Sequence, residues 1–305
     1  MFGHRFWRIA GLVLLVIVIV AGVLYLNNRG SSANIVTQDY SPNDSASQDS
    51  LSSGKINFER LKSFVHTSQT AQVDTTNLGK QINSIISSNP DVTISVSIKD
   101  LANGTTYEYG HQAAMTAASV TKVLTAVDYL KQVELGHKSL DTIMANGYSA
   151  QHNLEQMIVV SDNNSWHLLN ESLTYTQMQQ YAESVGLSTY YYVDNTISAK
   201  DTTKLLSDLY ERKLINESHT QLLLSYMERA NYRDLIIPAV PDHDTVYHKA
   251  GALYAYLHDA TIITNTQNAI TLTIFTNSTG TFDKSRVTSI MQQITTPTLE
   301  TFHLN

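Results

Sequence analysis

The chain has 305 residues, of which 42% are apolar and 15% charged, enough to bury the core of one large domain or two lobes. A formal net charge of −7 argues against nucleic acid as a partner, because a nucleic-acid binder needs a basic face to neutralise phosphates. Cysteine is absent, which excludes disulfides, thiolate metal sites, cysteine nucleophiles and a lipoprotein anchor.

Residues 1–8 carry Arg5 and Arg8, and Ile9 to Leu26 then run without a charge. At ~1.5 Å per residue such a run spans about 27 Å, close to the hydrocarbon core of a bilayer. The arginines ahead of it predict a cytoplasmic amino end, a membrane anchor at 9–26 and the rest of the chain outside. The competing reading is a cleaved signal peptide ending at Ser31-Ser32-Ala33. Residues 27–57 are rich in Ser, Asn, Asp and Gln and read as a disordered tether. Phe58 to Val73 is ambiguous, with room for one short helix.

The folded domain is expected over 75–305. Leu78, Ile82, Ile85 and Ile86 mark an amphipathic helix that ends at Asn89-Pro90. Val92 to Ile98 alternates with period two, Asn103-Gly104 supplies a turn, and Thr105 to Tyr109 returns as the second strand of a hairpin. Ser119 to Leu135 reads as a helix stopped by Gly136. Helical patterns then dominate, interrupted at Gly186 to Asn195, and an all-helical lobe is expected over about 137–230. Three strands follow near 246–254, 260–264 and 269–276, and a last helix over about 283–295. This order predicts an α+β fold: an antiparallel five-stranded sheet flanked by helices, with an inserted helical lobe. Ligand sites commonly form in the cleft between such lobes.

Chemistry concentrates in three short elements. Ser119-Val120-Thr121-Lys122 puts a serine and a lysine on one helix face, where a neutral lysine can take the serine's proton. A lone S-x-x-K is weak, since Ser52-Ser53-Gly54-Lys55 also matches, in the tether with no apolar helix behind it. Taken alone, Ser119 reads better as a helix N-cap and Lys122 as a solvated lysine. Ser161-Asp162-Asn163 enters a helix and, alone, is an ordinary cap. Lys249-Ala250-Gly251 lies on a strand, where the glycine alone would indicate a bulge. His243, His248 and His258 lie near Asp242, Asp244 and Asp259, but no metal-ligand spacing supports a metal, and no cofactor is expected.

Together and in this order, the three elements resemble the signature of penicillin-recognising serine hydrolases, the class A β-lactamases and D,D-peptidases. The run SDNNSWHLL, and RDLIIPAVPDHDTVY ahead of HKAGAL, extend the likeness, which covers about Leu78 to the C-terminus. The resemblance implies a β-lactamase/transpeptidase-like fold and acylation of Ser119, with Lys122 as base and Ser161 as proton relay. It further implies that Asn163 and Lys249 contact substrate, and that the backbone N–H groups of Ser119 and Ala252, beside Gly251, form the oxyanion hole. Three departures accompany it. Ala250 replaces the family's threonine or serine. His258 falls where many class A enzymes place a carboxylate-binding arginine, and would be a pH-dependent partner. The Gly186–Asn195 stretch has no glutamate to activate a deacylating water, with Asp194 the one candidate substitute.

The implied substrate is a β-lactam or a peptidoglycan stem peptide, handled by a membrane-tethered monomer. The alternatives are a D,D-carboxypeptidase and a non-catalytic cell-wall binder on the same fold.

Overall fold

The computed structural model describes residues 75–304. The expected anchor at 9–26, the tether at 27–57, the Ser52–Lys55 motif copy and the 58–73 segment lie outside the described residues. Among the described residues, no helix is long and apolar enough to cross a membrane.

Helix α1, Thr76–Ser87, buries Leu78 and Ile82. The hairpin follows as β1, Val92–Asp100, and β2, Thr106–Gly110, paired antiparallel with Ser97 opposite Glu108. Its turn places Gly104 at a φ of +76°, a conformation that only a residue without Cβ adopts freely. A short strand β3, Met115–Thr116, leads into a 3-10 turn at Ala118–Thr121 and then helix α2, Lys122–Glu134. Ser119 therefore sits in the 3-10 turn rather than in the α-helix expected from its apolar spacing.

The helical stretch resolves into α3, Ala150–Val159; α4, Asn163–Leu173; α5, Tyr175–Ser184; α6, Ala199–Tyr210; and α7, Glu217–Glu228. Strand β4, Thr196–Ile197, precedes α6 and pairs antiparallel with β3. A second 3-10 turn, Ile237–Ala239, precedes β5, Thr245–Leu253; β6, Tyr256–Thr264; and β7, Ala269–Ser278. Helix α8, Lys284–Thr301, closes the domain.

The five long strands form one antiparallel sheet in the order β2-β1-β7-β6-β5, so β5 is an edge strand. Two expectations move. Strand β6 begins at Tyr256 rather than 260, and carries the polar His258 and Asp259 fully buried within it. Helix α8 continues past Pro297 to Thr301, where burial of Thr298 and Leu299 sustains it.

One face of the sheet packs Val92, Ile94, Val96 and Ile98 of β1 against α1 and α8. The other face carries hydroxyls that let α6 lie close. Thr203 Oγ1 donates to Ser97 O at 3.2 Å and to Thr273 Oγ1 at 2.9 Å, and Ser207 Oγ meets Thr271 Oγ1 at 2.9 Å. Helix α6, inside the expected lobe boundaries, thus belongs to the sheet layer. The second core joins Val123, Leu124 and Val127 of α2 to the surrounding helices and to Tyr247, Ile262 and Phe275 of the sheet.

Candidate active site

The site forms where the 3-10 turn, the α3–α4 junction and edge strand β5 meet. Ser119 is half-buried on that turn, and Ala118 before it holds a φ of +51°. A left-handed conformation costs a residue with a Cβ about 1 kcal/mol or more, so the surroundings must hold it in place. On one side the holder is β5. A Cβ added at Gly251 would stand 2.8 Å from Ala117 O, 3.0 Å from Val120 Cγ2 and 3.1 Å from Ser119 N. Only glycine lets the strand backbone approach the turn this closely. Ala252, one residue on, is exposed.

Lys122 opens α2 with its side chain wholly buried. Its Nζ donates to Ser161 O at 2.5 Å, to Ser161 Oγ at 3.2 Å and to Asn163 Oδ1 at 2.8 Å. The Trp166 ring lies 5.2 Å from the same nitrogen and is anchored by its own N–H to Thr125 Oγ1 at 2.9 Å. Asp162 is the N-cap of α4, accepting from Ser165 N at 2.6 Å. With capping assigned to Asp162, the side chains on either side of it are free to turn toward Lys122. Ser161 does so from a φ of +62°.

Lys249 arrives from β5, also buried, and its Nζ donates to Ser161 Oγ at 2.9 Å and to Ala250 O at 3.1 Å. Two lysines therefore meet on one serine hydroxyl. Burial, reinforced by the Lys249 charge and opposed by Asp162, lowers the Lys122 pKa to about 6. Burial, opposed by Asp259, lowers that of Lys249 to about 7. Near neutrality the two lysines are therefore not both charged, an arrangement in which one amine can accept a proton while the other keeps a positive charge. Since Ser161 Oγ accepts from both lysines, its own hydrogen is left to donate outward.

The structure thus brings Ser119, Lys122, Ser161, Asn163, Lys249, Gly251 and Ala252 to one place in the fold. His258 is not among them. It is fully buried, its Nε2 bonds Thr116 O at 2.8 Å, its Nδ1 accepts from Thr276 N at 3.1 Å, and its ring stacks on Phe275 at 4.3 Å. Both nitrogens are used, and burial lowers its pKa to about 4, so His258 is a neutral core residue rather than a carboxylate partner. Ala250 is 4% exposed and packs in the α1/α8-side core. His248, from the histidine–aspartate group, pairs with Asp259 in the interior, Nδ1 to Oδ1 at 3.1 Å.

The 186–195 loop is short and tightly closed. Tyr191 and Thr196 exchange backbone hydrogen bonds at 2.9 and 3.1 Å, and Gln179 holds Tyr190 O at 3.0 Å and Tyr192 N at 3.1 Å. Asp194 is exposed at its tip, and it is Asn195 that reaches the Ser119 turn. Sequence reasoning missed Trp166, Thr121 and Asn195. All three stood inside stretches already quoted, but no local pattern links Asn195 to Thr121, because their pairing spans 74 positions.

Comparison with known proteins agrees with this geometry. Among solved structures, PBP-A aligns at 20% identity with a TM-score of 0.68, covering 74% of this chain and 95% of its own. A point mutant of PBP-A, solved as an acyl-enzyme complex with penicillin G, aligns equally well and is covered to 96%. An ancestral class A β-lactamase aligns at 17% identity and a TM-score of 0.68, covering 74% of this chain and all of its own length, 100%. These likenesses establish a shared fold. A search of curated proteins finds no match. A model of the beta-lactamase enzyme family matches residues 77–302, nearly the whole described domain. The chain belongs to that beta-lactamase enzyme family and is, with it, a serine hydrolase acting on amides.

Proposed function

We propose that Ser119 is acylated by the amide carbonyl of a β-lactam or a D-alanyl peptide, and that the acyl-enzyme is then hydrolysed slowly. The observation that carries this reading is the meeting of Lys122 and Lys249 on Ser161 Oγ beside the Ser119 turn. Neutral Lys122, which has two N–H groups and can keep its bonds to Ser161 O and Asn163 Oδ1, uses its lone pair to take the Ser119 hydroxyl proton while Oγ bonds to the carbonyl carbon. The tetrahedral oxyanion faces the Ser119 and Ala252 backbone N–H groups, which the close approach at Gly251 draws together. The C–N bond then breaks, and the leaving nitrogen receives the proton from Lys122 through Ser161 Oγ. Asn163, whose Oδ1 is occupied by Lys122, keeps its amide N–H₂ for a substrate carbonyl. Charged Lys249 attracts the substrate carboxylate.

Slow hydrolysis follows from the loop, which holds no glutamate between Gly186 and Asn195. That same feature supports a second reading, a penicillin-binding D,D-carboxypeptidase acting on peptidoglycan. A time course of intact mass after mixing with a penicillin tests both. The expected result is a rapid one-to-one adduct that persists and is absent from Ser119→Ala. Lack of any adduct would remove the nucleophile assignment, and fast release of hydrolysed product would assign an efficient β-lactamase instead. Export belongs to the same proposal, on the strength of the charge-free run at 9–26 behind Arg5 and Arg8. Protease added to intact spheroplasts should digest the domain, and its protection would contradict an outward-facing anchor.

A further inference from the structure

Asn195 makes three hydrogen bonds to the segment that carries Ser119. Its backbone oxygen accepts from Ala117 N at 2.8 Å. Its Nδ2 donates to Ala118 O at 2.8 Å. Its Oδ1 accepts from Thr121 Oγ1 at 2.6 Å. The side-chain amide thus spans the 3-10 turn from its first residue to its last, with Ser119 between the two anchors. Asn195 holds a φ of +48°, a conformation that asparagine tolerates better than other residues with a Cβ. Pairing of β3 with β4, Thr116 opposite Thr196, brings it alongside the turn.

We propose that Asn195 is a positioning residue that holds the Ser119 turn in its left-handed entry conformation. The proposal rests on the reading of Ser119 as nucleophile. The turn is gripped from two sides, by the Gly251 backbone and by the Asn195 amide. The Gly251 side fixes how near the strand comes, while the amide fixes the rotation of the Ala118 carbonyl. That rotation sets where the next peptide N–H, that of Ser119, is aimed. The amide is suited to this task because it donates at one end and accepts at the other. A carboxylate of the same shape would satisfy Thr121 but set a negative oxygen against the Ala118 carbonyl. With both ends engaged on the turn, the amide is also withdrawn from the role of holding a hydrolytic water.

The test separates positioning from folding. Asn195→Gly keeps the backbone freedom and removes the amide; Asn195→Asp keeps the shape and removes the donor. Pre-steady-state labelling with a fluorescent penicillin yields the limiting acylation rate and the dissociation constant separately. The limiting rate should fall about tenfold to a hundredfold in Asn195→Gly, and further in Asn195→Asp, with the dissociation constant little changed. Thr121→Val should lower the rate severalfold, and combining it with Asn195→Gly should add little. Thr121→Ser, which keeps the hydroxyl, should restore the rate. A mere loss of folded protein would reduce the labelled fraction and leave the rate of the rest intact.

An unchanged limiting rate in Asn195→Gly overturns the proposal. If that variant folds poorly, an unchanged rate in Thr121→Val overturns it instead. Hydrogen exchange of the 118–122 amides reads the grip without any chemistry. Exchange there should quicken about tenfold in Asn195→Gly while β1 stays protected, and equal exchange refutes the grip. An unlabelled wild type with faster exchange in the variant would fault the nucleophile reading alone and uphold the grip.

Discussion

Two lysine amino groups on one serine hydroxyl make the proton inventory of this site a property of the pair rather than of either lysine. With Lys122 lowered to about 6 and Lys249 to about 7, the form that the proposed mechanism uses has the first neutral and the second charged. Acylation efficiency should therefore rise through about pH 6 as Lys122 loses its proton, and fall above about pH 7 as Lys249 loses its own. Rapid labelling across pH 5 to 9 checks this bell. A profile still rising at pH 9 would mean that Lys122 is not the base. At this scale the sequence was informative where motifs come as an ordered set. Each of the three elements alone read as a cap, a surface lysine or a bulge. Only their joint resemblance to a family singled out Ser119, Lys122, Ser161 and Lys249, of which Lys122, Ser161 and Lys249 are hydrogen-bonded together. It misled at His258, where counting along a strand gave a position but not the side of the sheet on which the ring is buried.

The elements explain why those side chains meet. Edge strand β5 lies against the Ser119 turn only because Gly251 has no side chain, with Ala117 O 2.8 Å from where a Cβ would stand. Backbone oxygen cannot yield as a flexible side chain can, so Gly251→Ala should push the strand away. The expected loss is about 10²-fold in acylation rate, the scale of a misplaced catalytic group, with destabilisation of about 1–3 kcal/mol from overpacking. Stopped-flow labelling and a denaturant titration read the two effects separately, and a variant acylated at the wild-type rate would refute the close-approach argument. Most elements were legible from periodicity: the hairpin at 92–110, the helix into Asn89-Pro90, the stop at Gly136. The misreadings share a cause. The early start of β6 and the run of α8 past Pro297 depend on tertiary burial of polar or helix-breaking residues, which local pattern does not record. The same holds for α6, assigned to the helical lobe by its sequence neighbours but docked on the sheet through Thr203 and Ser207.

Across the whole molecule, burial of ionisable groups couples stability to pH in opposing directions. His258 is lowered from 6.5 to about 4 by desolvation. Between those values the unfolded chain binds a proton that the native protein refuses. Its contribution is therefore whole above pH 6.5 and is lost as the pH falls toward about 4, by up to about 3 kcal/mol at 1.36 kcal/mol per unit. Asp128, buried in the helical core, is raised from 3.8 to about 6, again chiefly by desolvation. Its sign is reversed: the contribution is whole below pH 3.8 and is lost as the pH rises through about 6. The two windows overlap, so the wild type should show a shallow dependence of unfolding free energy between about pH 4 and 6. Removing either group should expose the other. Asp128→Asn should lose stability steeply as the pH falls through this range, whereas His258→Gln, which keeps a donor and an acceptor for Thr116 and Thr276, should gain it. Denaturant titrations of the three proteins at half-unit pH steps test the argument. Parallel curves for wild type and His258→Gln would show that the ring takes up its proton as readily in the folded protein as in the unfolded chain, and would refute the desolvation argument for His258.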